Sequence, residues 1–503
     1  MKPGTWRRLR QIAQVLSLLL FIFLSWRTAR PSLFLRLDPL VALTATLAGR
    51  ALVAGAGLAV LTLVVTLLFG RVWCGWLCPM GTVLEWLAPR RKRSPLRRPP
   101  EQWRVVKYLL LFCLLFAALL GNQTLLFLDP ITIMIRTLAA AIWPALRYAV
   151  YQVEAFLYGF EFLWEPLDAL HNAVIYPVLQ DVESVFIQAA PIFLFFAGIV
   201  ALNWWAERFW CRYLCPLGGL LGLVSKAALV RREVGEECSA CALCTQNCPT
   251  GTIEPKNDYQ SDPAECTVCY NCVADCPQGS IAFRHQLPRW RPAEPQAYDP
   301  GRREVLLALG MAVAGVALAG VEPTRKHPPP RMIRPPGATL TDFEALCIRC
   351  GECVSACPTQ GLQPDLVEGG WQNVMTPVLV PRLGYCSYSC SACSEVCLTG
   401  AIPRLTLEKK QQTPIGLARV DQDRCLPWAY NTPCIVCEES CPIPDKAIRL
   451  DEIETVDAQG EPMVLQRPYV VKELCIGCGI CEHQCPLGGD AAIQVFAPMD
   501  GAW

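Results

Sequence analysis

Cysteine spacing restricts the fold of this chain more than any other feature of its sequence. The 503 residues include 29 cysteines, and most of these fall into six sets of four. The commonest spacing is Cys-x2-Cys-x2-Cys-x3-Cys, and a proline follows the last cysteine in five of the six sets. Disulfide scaffolds are short secreted chains that need no repeated spacing of this kind. The cysteines are therefore predicted to be metal ligands.

The two sets in the middle of the chain have the spacing of bacterial ferredoxins that bind two [4Fe–4S] clusters. In that pattern three cysteines in a tight loop bind one cluster, and the fourth cysteine of the set binds the other cluster. A zinc site is the weaker alternative, because it needs only four ligands. We expect one cluster on Cys238, Cys241, Cys244 and Cys276, and a second cluster on Cys266, Cys269, Cys272 and Cys248.

Four further sets lie in the last third of the chain, two with the standard spacing and two with irregular spacing. They predict four more clusters, which gives six in total. We expect nested pairing, in which the outer sets exchange their fourth cysteines and the inner sets do the same. Sequential pairing of neighbouring sets is the alternative, and disulfide bonds are a weaker one. Nested pairing groups Cys347, Cys350 and Cys353 with Cys485; Cys475, Cys478 and Cys481 with Cys357; Cys386, Cys390 and Cys393 with Cys441; and Cys425, Cys434 and Cys437 with Cys397.

Two copies of a Cys-x3-Cys-Pro motif each follow an apolar stretch. They read Arg-Val-Trp-Cys-Gly-Trp-Leu-Cys-Pro at residues 71–79 and Arg-Phe-Trp-Cys-Arg-Tyr-Leu-Cys-Pro at residues 208–216. A proline also follows a cluster ligand in ferredoxins. We predict that Cys74, Cys78, Cys211 and Cys215 meet at an additional iron–sulfur or other metal centre at the membrane surface. The alternatives are redox-active or copper-binding thiol pairs and buried structural thiols.

Five apolar stretches are predicted to cross a membrane, since a spanning helix needs about 20 mainly apolar residues. They are residues 11–26, 52–69, 105–120, 185–205 and 305–321. Basic residues near the N-terminus and at residues 90–98 indicate the cytoplasmic side, and the acidic segment 129–183 indicates an external loop. The prediction is a multi-pass protein of the bacterial inner membrane, in contact with lipid, with its N-terminus and first ferredoxin in the cytoplasm and its C-terminal domain outside.

The fifth stretch follows a twin arginine, Arg302-Arg303, which is typical of a Tat export signal. The expected fold is an α-helical membrane bundle with an internal two-half repeat, combined with two α+β ferredoxin-like iron–sulfur domains. The expected domains are the membrane domain (1–232), a cytoplasmic two-cluster ferredoxin (233–290), the twin-arginine segment with a Pro-rich linker (291–340), and an extracytoplasmic four-cluster polyferredoxin (341–503).

Two resemblances cover nearly the whole chain. The part before residue 291 resembles NapH-type membrane ferredoxins, with their NosR-like and RdxA/CcoG-like relatives, in its two Cys-x3-Cys-Pro motifs and the ferredoxin that follows. The part from residue 301 resembles NapG- and MauM-type exported polyferredoxins. That likeness lies in the twin arginine, the four cysteine sets and the stretch Cys-Ile-Val-Cys-Glu-Glu-Ser-Cys-Pro at residues 434–442.

NapG and NapH act together as a quinol dehydrogenase that feeds a periplasmic reductase. The resemblance implies a similar role here, with the quinone pool as substrate and an extracytoplasmic redox protein as partner. Copper reduction or maturation of a partner enzyme by the paired thiols is the alternative, and a structural docking subunit is a third hypothesis. Asp129, Glu154 and His171 are candidates for the quinol site, but no catalytic residue can be assigned. The net charge of +1 gives no indication of nucleic-acid binding.

Overall fold

The fold is given by a computed structural model, which describes residues 3–26, 33–53, 55–89, 101–179, 186–285, 310, 331–338, 341–366, 368–456 and 462–497. The predicted twin-arginine signal, most of the fifth apolar stretch and most of the linker lie outside the described residues. Two compact units are formed. The first comprises Met1–Ile135, Phe193–Glu322 and Glu344–Cys350, and the second comprises Arg136–Ile192, Pro323–Phe343 and Gly351–Trp503.

Helices make up most of the described chain before residue 226, as its long apolar stretches predict. They are α1 (Pro3–Trp26), α2 (Leu33–Arg36), α3 (Pro39–Gly49), α4 (Ala56–Phe69), α5 (Pro79–Trp86), α6 (Val105–Leu119), α7 (Pro130–Thr137), α8 (Trp143–Leu157), α9 (Trp164–Leu170), α10 (Tyr176–Leu179), α11 (Ala189–Ala201) and α12 (Pro216–Ser225). Single π-helical turns at Trp73–Leu77 and Trp210–Leu214 carry the first cysteine of each Cys-x3-Cys-Pro motif.

Three helical stretches in the described residues are long and apolar enough to cross a membrane: Gly4–Ser25, Gln102–Leu119 and Pro130–Leu157. The first two coincide with predicted spans. The third lies in the segment 129–183, which the sequence predicts to be an external loop, and it was not among the predicted spans. The predicted spans at residues 52–69 and 185–205 correspond to the shorter apolar helices Ala56–Phe69 and Ala189–Trp204.

In the first unit, α3 packs against α4, α6 and α12. Asp38 begins α3, because its carboxylate accepts hydrogen bonds from the backbone N–H groups of Leu40 and Val41, and Pro39 fits the first helical position. The hydroxyl of Thr62 on α4 donates to the carbonyl oxygen of Leu37 at 2.7 Å. The break between α2 and α3 is therefore held against the middle of α4.

The ferredoxin segment, residues 230–285, belongs to the first unit. Its strands β1 (Val230–Val234) and β2 (Ile281–His285) pair antiparallel, and the short helices α13 (Leu243–Gln246) and α14 (Asn271–Ala274) pack against each other. The core contains Cys244, Ile253, Cys272 and Ile281.

The polyferredoxin segment, residues 341–497, also consists of short helices and two-stranded sheets. Its helices are α15 (Phe343–Leu346), α16 (Glu352–Ser355), α17 (Ala392–Val396), α18 (Leu407–Gln411), α19 (Leu426–Ala429), α20 (Val436–Glu439) and α21 (Ile480–Gln484). Its strands are β3 (Leu362–Pro364), β4 (Pro377–Leu379), β5 (Leu417–Val420), β6 (Ile448–Val456), β7 (Pro462–Val470) and β8 (Ile493–Phe496), with β3–β4, β5–β8 and β6–β7 paired antiparallel. These elements agree with the predicted ferredoxin-like architecture.

Candidate metal centres

Four cavities in the described chain are each lined by four cysteines. In every case three cysteines come from one set and the fourth is the last cysteine of another set. The groups are Cys248 with Cys266, Cys269 and Cys272; Cys357 with Cys386, Cys390 and Cys393; Cys441 with Cys475, Cys478 and Cys481; and Cys485 with Cys425, Cys434 and Cys437.

The ferredoxin segment forms one of its two predicted cysteine groups as a cavity, in which Cys248 lies with Cys266, Cys269 and Cys272. In the other predicted group, Cys244 and Cys276 belong to one apolar cluster, which also contains Cys248 and Cys272. Cys241 is exposed at the surface. We propose the second group, Cys238, Cys241, Cys244 and Cys276, from the spacing.

The C-terminal grouping corrects the nested pairing. Cys485 lines a cavity with the third set and Cys441 with the fourth, whereas nested pairing placed these cysteines with the first and second sets. The physical reason is helix packing: α16 packs against α17, and α20 packs against α21, so neighbouring sets exchange their last cysteines. Sequential order leaves Cys347, Cys350, Cys353 and Cys397, a group that we propose from motif order alone.

Each of the four cavities brings together four thiols, three of them from one closely spaced set. Four cysteines of this kind are the ligand set of a [4Fe–4S] cluster. Within the described residues, no three His, Cys, Asp or Glu side chains are placed to bind one metal ion, and no disulfide forms. The residues that line the cavities therefore fit a cluster of iron and sulfide.

Burial makes these thiols poor candidates for metal-free reactive thiols. It raises the pKa of Cys266, Cys393, Cys437 and Cys478 to about 12. A thiol with such a pKa stays protonated at neutral pH and is a weak nucleophile, whereas a bound metal keeps its thiol ligand deprotonated. The donor set therefore suits cluster ligation.

The two Cys-x3-Cys-Pro motifs have the same local structure. Cys78 and Cys215 each follow a π-helical turn, and the N–H of each donates at 2.9 Å to the carbonyl of the tryptophan that begins the turn. Each cysteine has extended backbone angles and precedes a proline that begins α5 or α12. The sequence repeat is thus also a repeat of backbone geometry.

The four motif cysteines, Cys74, Cys78, Cys211 and Cys215, form what we call the four-thiol site. Burial raises the pKa of Cys78, and the charges of Cys74 and Cys211 raise it further. Burial and the other three thiols together raise the pKa of Cys215. We propose from these influences that the four thiols lie close together. The raised pKa values of Cys78 and Cys215 disfavour a freely reactive dithiol.

Two buried arginines supply positive charge at the four-thiol site. Arg71 Nη2 lies 3.9 Å from Cys74 Sγ, and Arg208 donates to the backbone carbonyl of Cys74 at 3.4 Å. The backbone N–H of Gly218 donates to Cys215 Sγ at 3.2 Å. Both arginines stand three positions before the first cysteine of their motif, a repeat that is visible in the sequence but does not by itself indicate a role. A site with these cations suits an anionic, thiolate-bound group.

The ferredoxin segment contacts the four-thiol site through the loop that begins its second set. Trp76 Nε1 donates to the carbonyl of Val268 at 3.0 Å, and a Cβ atom added at Gly75 would lie 2.1 Å from the carbonyl oxygen of Thr267. The charge of Cys269 acts on Arg208. The two cysteine-rich sites are therefore neighbours within the first unit.

Known protein families match the same segments. A 4Fe-4S binding domain family matches residues 52–97 and 188–235, which contain one Cys-x3-Cys-Pro motif each. A 4Fe-4S dicluster domain family matches residues 346–402, and a further 4Fe-4S binding domain family matches residues 468–488. The prediction of iron–sulfur domains is confirmed.

Sequence comparison with curated proteins shows the family to which the chain belongs. The methylamine utilization ferredoxin-type protein MauM of Methylorubrum extorquens is 38% identical over 214 residues, which are 41% of this chain and 91% of that protein. The chain belongs to the MauM/NapG family of ferredoxin-type proteins. The ferredoxin-type protein NapG of Escherichia coli is 37% identical over 206 residues, 39% of this chain and 85% of NapG. The predicted resemblance to polyferredoxins of this type is confirmed.

A more distant relative is the protein NirI of Paracoccus denitrificans. It is 28% identical over 201 residues, which are 38% of this chain but 23% of NirI. No solved structure matches the chain. Its membership of the MauM/NapG family therefore rests on sequence, and the geometry of its candidate centres rests on the present structure.

Proposed function

We propose that this chain is a membrane-bound electron-transfer protein of the quinol dehydrogenase type, which passes electrons from quinol to an extracytoplasmic acceptor protein. When bound, iron–sulfur clusters accept and release single electrons. The proposed sites are the six groups of four cysteines given above, with a further centre at the four-thiol site.

The contacts at the two ends of α6 carry this proposal. In its first turn, Lys107 is buried and ion-paired with Glu265, which directly precedes the second ferredoxin set. Just beyond its last turn, the Gln123 side chain donates to the carbonyl of Ala345, two residues before the first cysteine of the polyferredoxin segment. All these residues belong to the first unit. Because the stretch Gln102–Leu119 is long enough to cross a membrane, these contacts support cysteine-rich segments at its two ends.

Further contacts strengthen both ends of this arrangement. Arg71 extends from the start of the first Cys-x3-Cys-Pro motif to Glu265, at 3.4 Å. At the other end, Arg349 lies between Cys347 and Cys350 in the sequence, and its Nη2 donates to the hydroxyl of Thr124 at 3.1 Å. Buried arginine contacts of this kind fix the distances between groups, and the rate of electron transfer depends on those distances. Such contacts suit a chain of redox centres.

A hydrogen-bonded Glu–His pair supports quinol as the donor. Quinol oxidation releases two protons together with two electrons, so it needs proton acceptors close to an apolar surface. His171 Nδ1 lies 2.8 Å from Glu154 Oε1, and Glu154 is buried on α8. Phe156 and Phe162 on the same segment are 70% and 79% exposed. We propose Glu154 and His171, two of the three sequence candidates, as the proton acceptors.

Anaerobic reduction of the purified protein tests this function. We expect a reduced menaquinone or ubiquinone analogue to produce the EPR signals of reduced [4Fe–4S] clusters. Glu154→Gln should slow this reduction by about 100-fold, the scale of a lost general base, and should leave reduction by dithionite unchanged. Glu161→Gln, an exposed carboxylate nearby, is the matched control. The proposal fails if quinol reduces none of the clusters that dithionite reduces.

A further inference from the structure

A buried arginine forms part of one cysteine-lined cavity of the ferredoxin segment. Arg232 stands in the middle of β1, paired with Phe283 on β2, and its exposed fraction is 6%. Both side chains line the cavity that we call the second ferredoxin site, whose cysteines are Cys248, Cys266, Cys269 and Cys272. The described residues that line the other three cysteine-lined cavities include no arginine or lysine. Arg232 therefore distinguishes this site from those three.

The guanidinium group of Arg232 contacts a predicted cluster ligand directly. Its Nε donates to Cys272 Sγ at 3.4 Å, and its Nη1 donates to the carbonyl oxygen of Tyr259 at 2.6 Å. Its Nη2 is buried and has no acceptor among the described residues. A buried N–H group without an acceptor costs free energy, and such groups in folded proteins nearly always have one. The arginine thus has a spare donor at a site that it helps to line.

The positive charge of Arg232 also needs compensation. None of the carboxylates in the described part of the chain forms an ion pair with it. A buried charge without a partner is strongly destabilising. Metal binding deprotonates cysteine ligands and so places negative charge in the cavity. The spare donor and the unpaired charge therefore both fit an anionic, thiolate-bound group at the second ferredoxin site.

We propose that Arg232 sets the reduction potential of the cluster at the second ferredoxin site, by donating to the Cys272 sulfur and to the bound cluster. Net charge and hydrogen bonds to the sulfurs both tune the potential of such clusters. Reduction adds one electron from the reductant, with no bond made or broken and no proton transferred. Because the arginine stabilises the added negative charge, it raises the potential. This inference rests on the proposed cluster at this site but not on quinol as the donor.

The potential of this cluster affects its exchange of electrons with the four-thiol site. The loop that begins the second cysteine set contacts that site through Val268 and Thr267. Of two neighbouring centres, the one with the higher potential holds the electron at equilibrium. Arg232 is thus a positioning residue for electrons, which favours their transfer to the second ferredoxin site.

A redox titration of the whole protein with dithionite, followed by EPR, tests the role of Arg232. The relevant signal is the one that Cys266→Ser removes or alters. Arg232→Gln should lower the equilibrium constant for reduction of this cluster about tenfold, which is about 59 mV for a one-electron couple, and should leave the iron content unchanged. Arg231→Gln is the matched control. It removes the same charge from the opposite face of β1, where Arg231 donates to the carbonyls of Lys226 and Ala228, and it should leave the potential unchanged.

A lower potential in Arg232→Gln but not in Arg231→Gln supports the proposal. An unchanged potential in Arg232→Gln, or an equal fall in both variants, overturns it. If Arg232→Gln fails to fold or loses the cluster, Arg232→Lys decides instead, because lysine keeps the charge but lacks the planar fork of donors. A lowered potential in Arg232→Lys then supports the proposal, and the native potential overturns it.

The same titration separates this inference from the proposed function. If no signal responds to Cys266→Ser, the proposed cluster at this site fails and the role of Arg232 fails with it. If the signal is present but Arg232→Gln does not shift it, the role of Arg232 alone is overturned. A failure of quinol to reduce the protein does not affect the titration, because dithionite supplies the electrons.

Discussion

A single carboxylate, that of Glu85, joins the two Cys-x3-Cys-Pro motifs to the first helix. It accepts hydrogen bonds from Arg10 at 2.9 and 2.6 Å, from Gln14 at 2.8 Å and from Arg208. Burial alone would raise the pKa of Glu85, but the charges of Arg208 and Arg10 lower it to about 2. Glu85 is thus held ionised, and the buried arginines keep a partner.

We predict that Glu85→Gln lowers stability at neutral pH. The folded-state pKa of about 2 lies below the ordinary value of 4.5, so the carboxylate contributes stability above about pH 4.5 that is lost as the pH falls towards 2. The difference at pH 7 should be on the order of 3 kcal/mol. Unfolding in detergent, followed by circular dichroism at pH 7 and pH 3, measures it. Glu408→Gln, at an exposed carboxylate, should show no such difference; an equal loss at both pH values would contradict the prediction.

Residue spacing predicted that Cys248 lies with Cys266, Cys269 and Cys272, but it did not predict the charged partners of the motif residues. This cysteine group followed from sequence because the segment contains two sets, so a fourth cysteine that leaves its own set has one destination. The importance of Arg71 and Arg208 did not follow, although both are visible in the repeat. Their partners, Glu265 and Glu85, lie 194 and 123 positions away in the chain. Such pairings are decided by tertiary packing, which spacing does not encode.

Among the elements, short helices determine how the C-terminal cysteines are grouped. The packing of α16 on α17 and of α20 on α21 divides the segment into two ferredoxin-like pairs. Cysteine spacing could not distinguish this from nested pairing, because both use the same sets and the same fourth cysteines. The sequence prediction did not include the long apolar helical stretch Pro130–Leu157. The stretch itself contains few charged residues, but the segments beside it are acidic, and the acidic residues indicated an external loop.

Cysteine replacements distinguish the two groupings. We predict that Cys485→Ser and Cys434→Ser remove or alter the same EPR signal, because both cysteines line one cavity. Cys350→Ser should affect a different signal. Cys113→Ser, at a cysteine on α6 outside all the motifs, is the control and should leave every signal intact. If Cys485→Ser instead matched Cys350→Ser, nested pairing would be restored.

At the scale of the whole molecule, α6 has ferredoxin contacts at one end and polyferredoxin contacts at the other. The sequence predicts a cytoplasmic ferredoxin and an extracytoplasmic C-terminal domain. The orientation is a prediction drawn from basic residues near the N-terminus.

Protease digestion of cells with a permeabilised outer membrane tests the orientation. In a full-length protein with a different epitope tag at each end, external protease should remove the C-terminal tag and spare the N-terminal one. Detergent lysis, which exposes both tags, is the control for protease activity. Protection of the C-terminal tag in intact spheroplasts would place both cysteine-rich segments on one side and contradict the proposed route of electron transfer.

The close contact between Gly75 and Thr267 also bears on biogenesis. Once the ferredoxin loop has settled on the first motif, the thiols beneath it are buried, and the backbone leaves no room even for a methyl group. We therefore expect maturation to be ordered, with iron and sulfide delivered to the four thiols before that loop closes. Labelled iron supplied to already folded, iron-depleted protein should enter the set that contains the exposed Cys241 and bypass the four-thiol site.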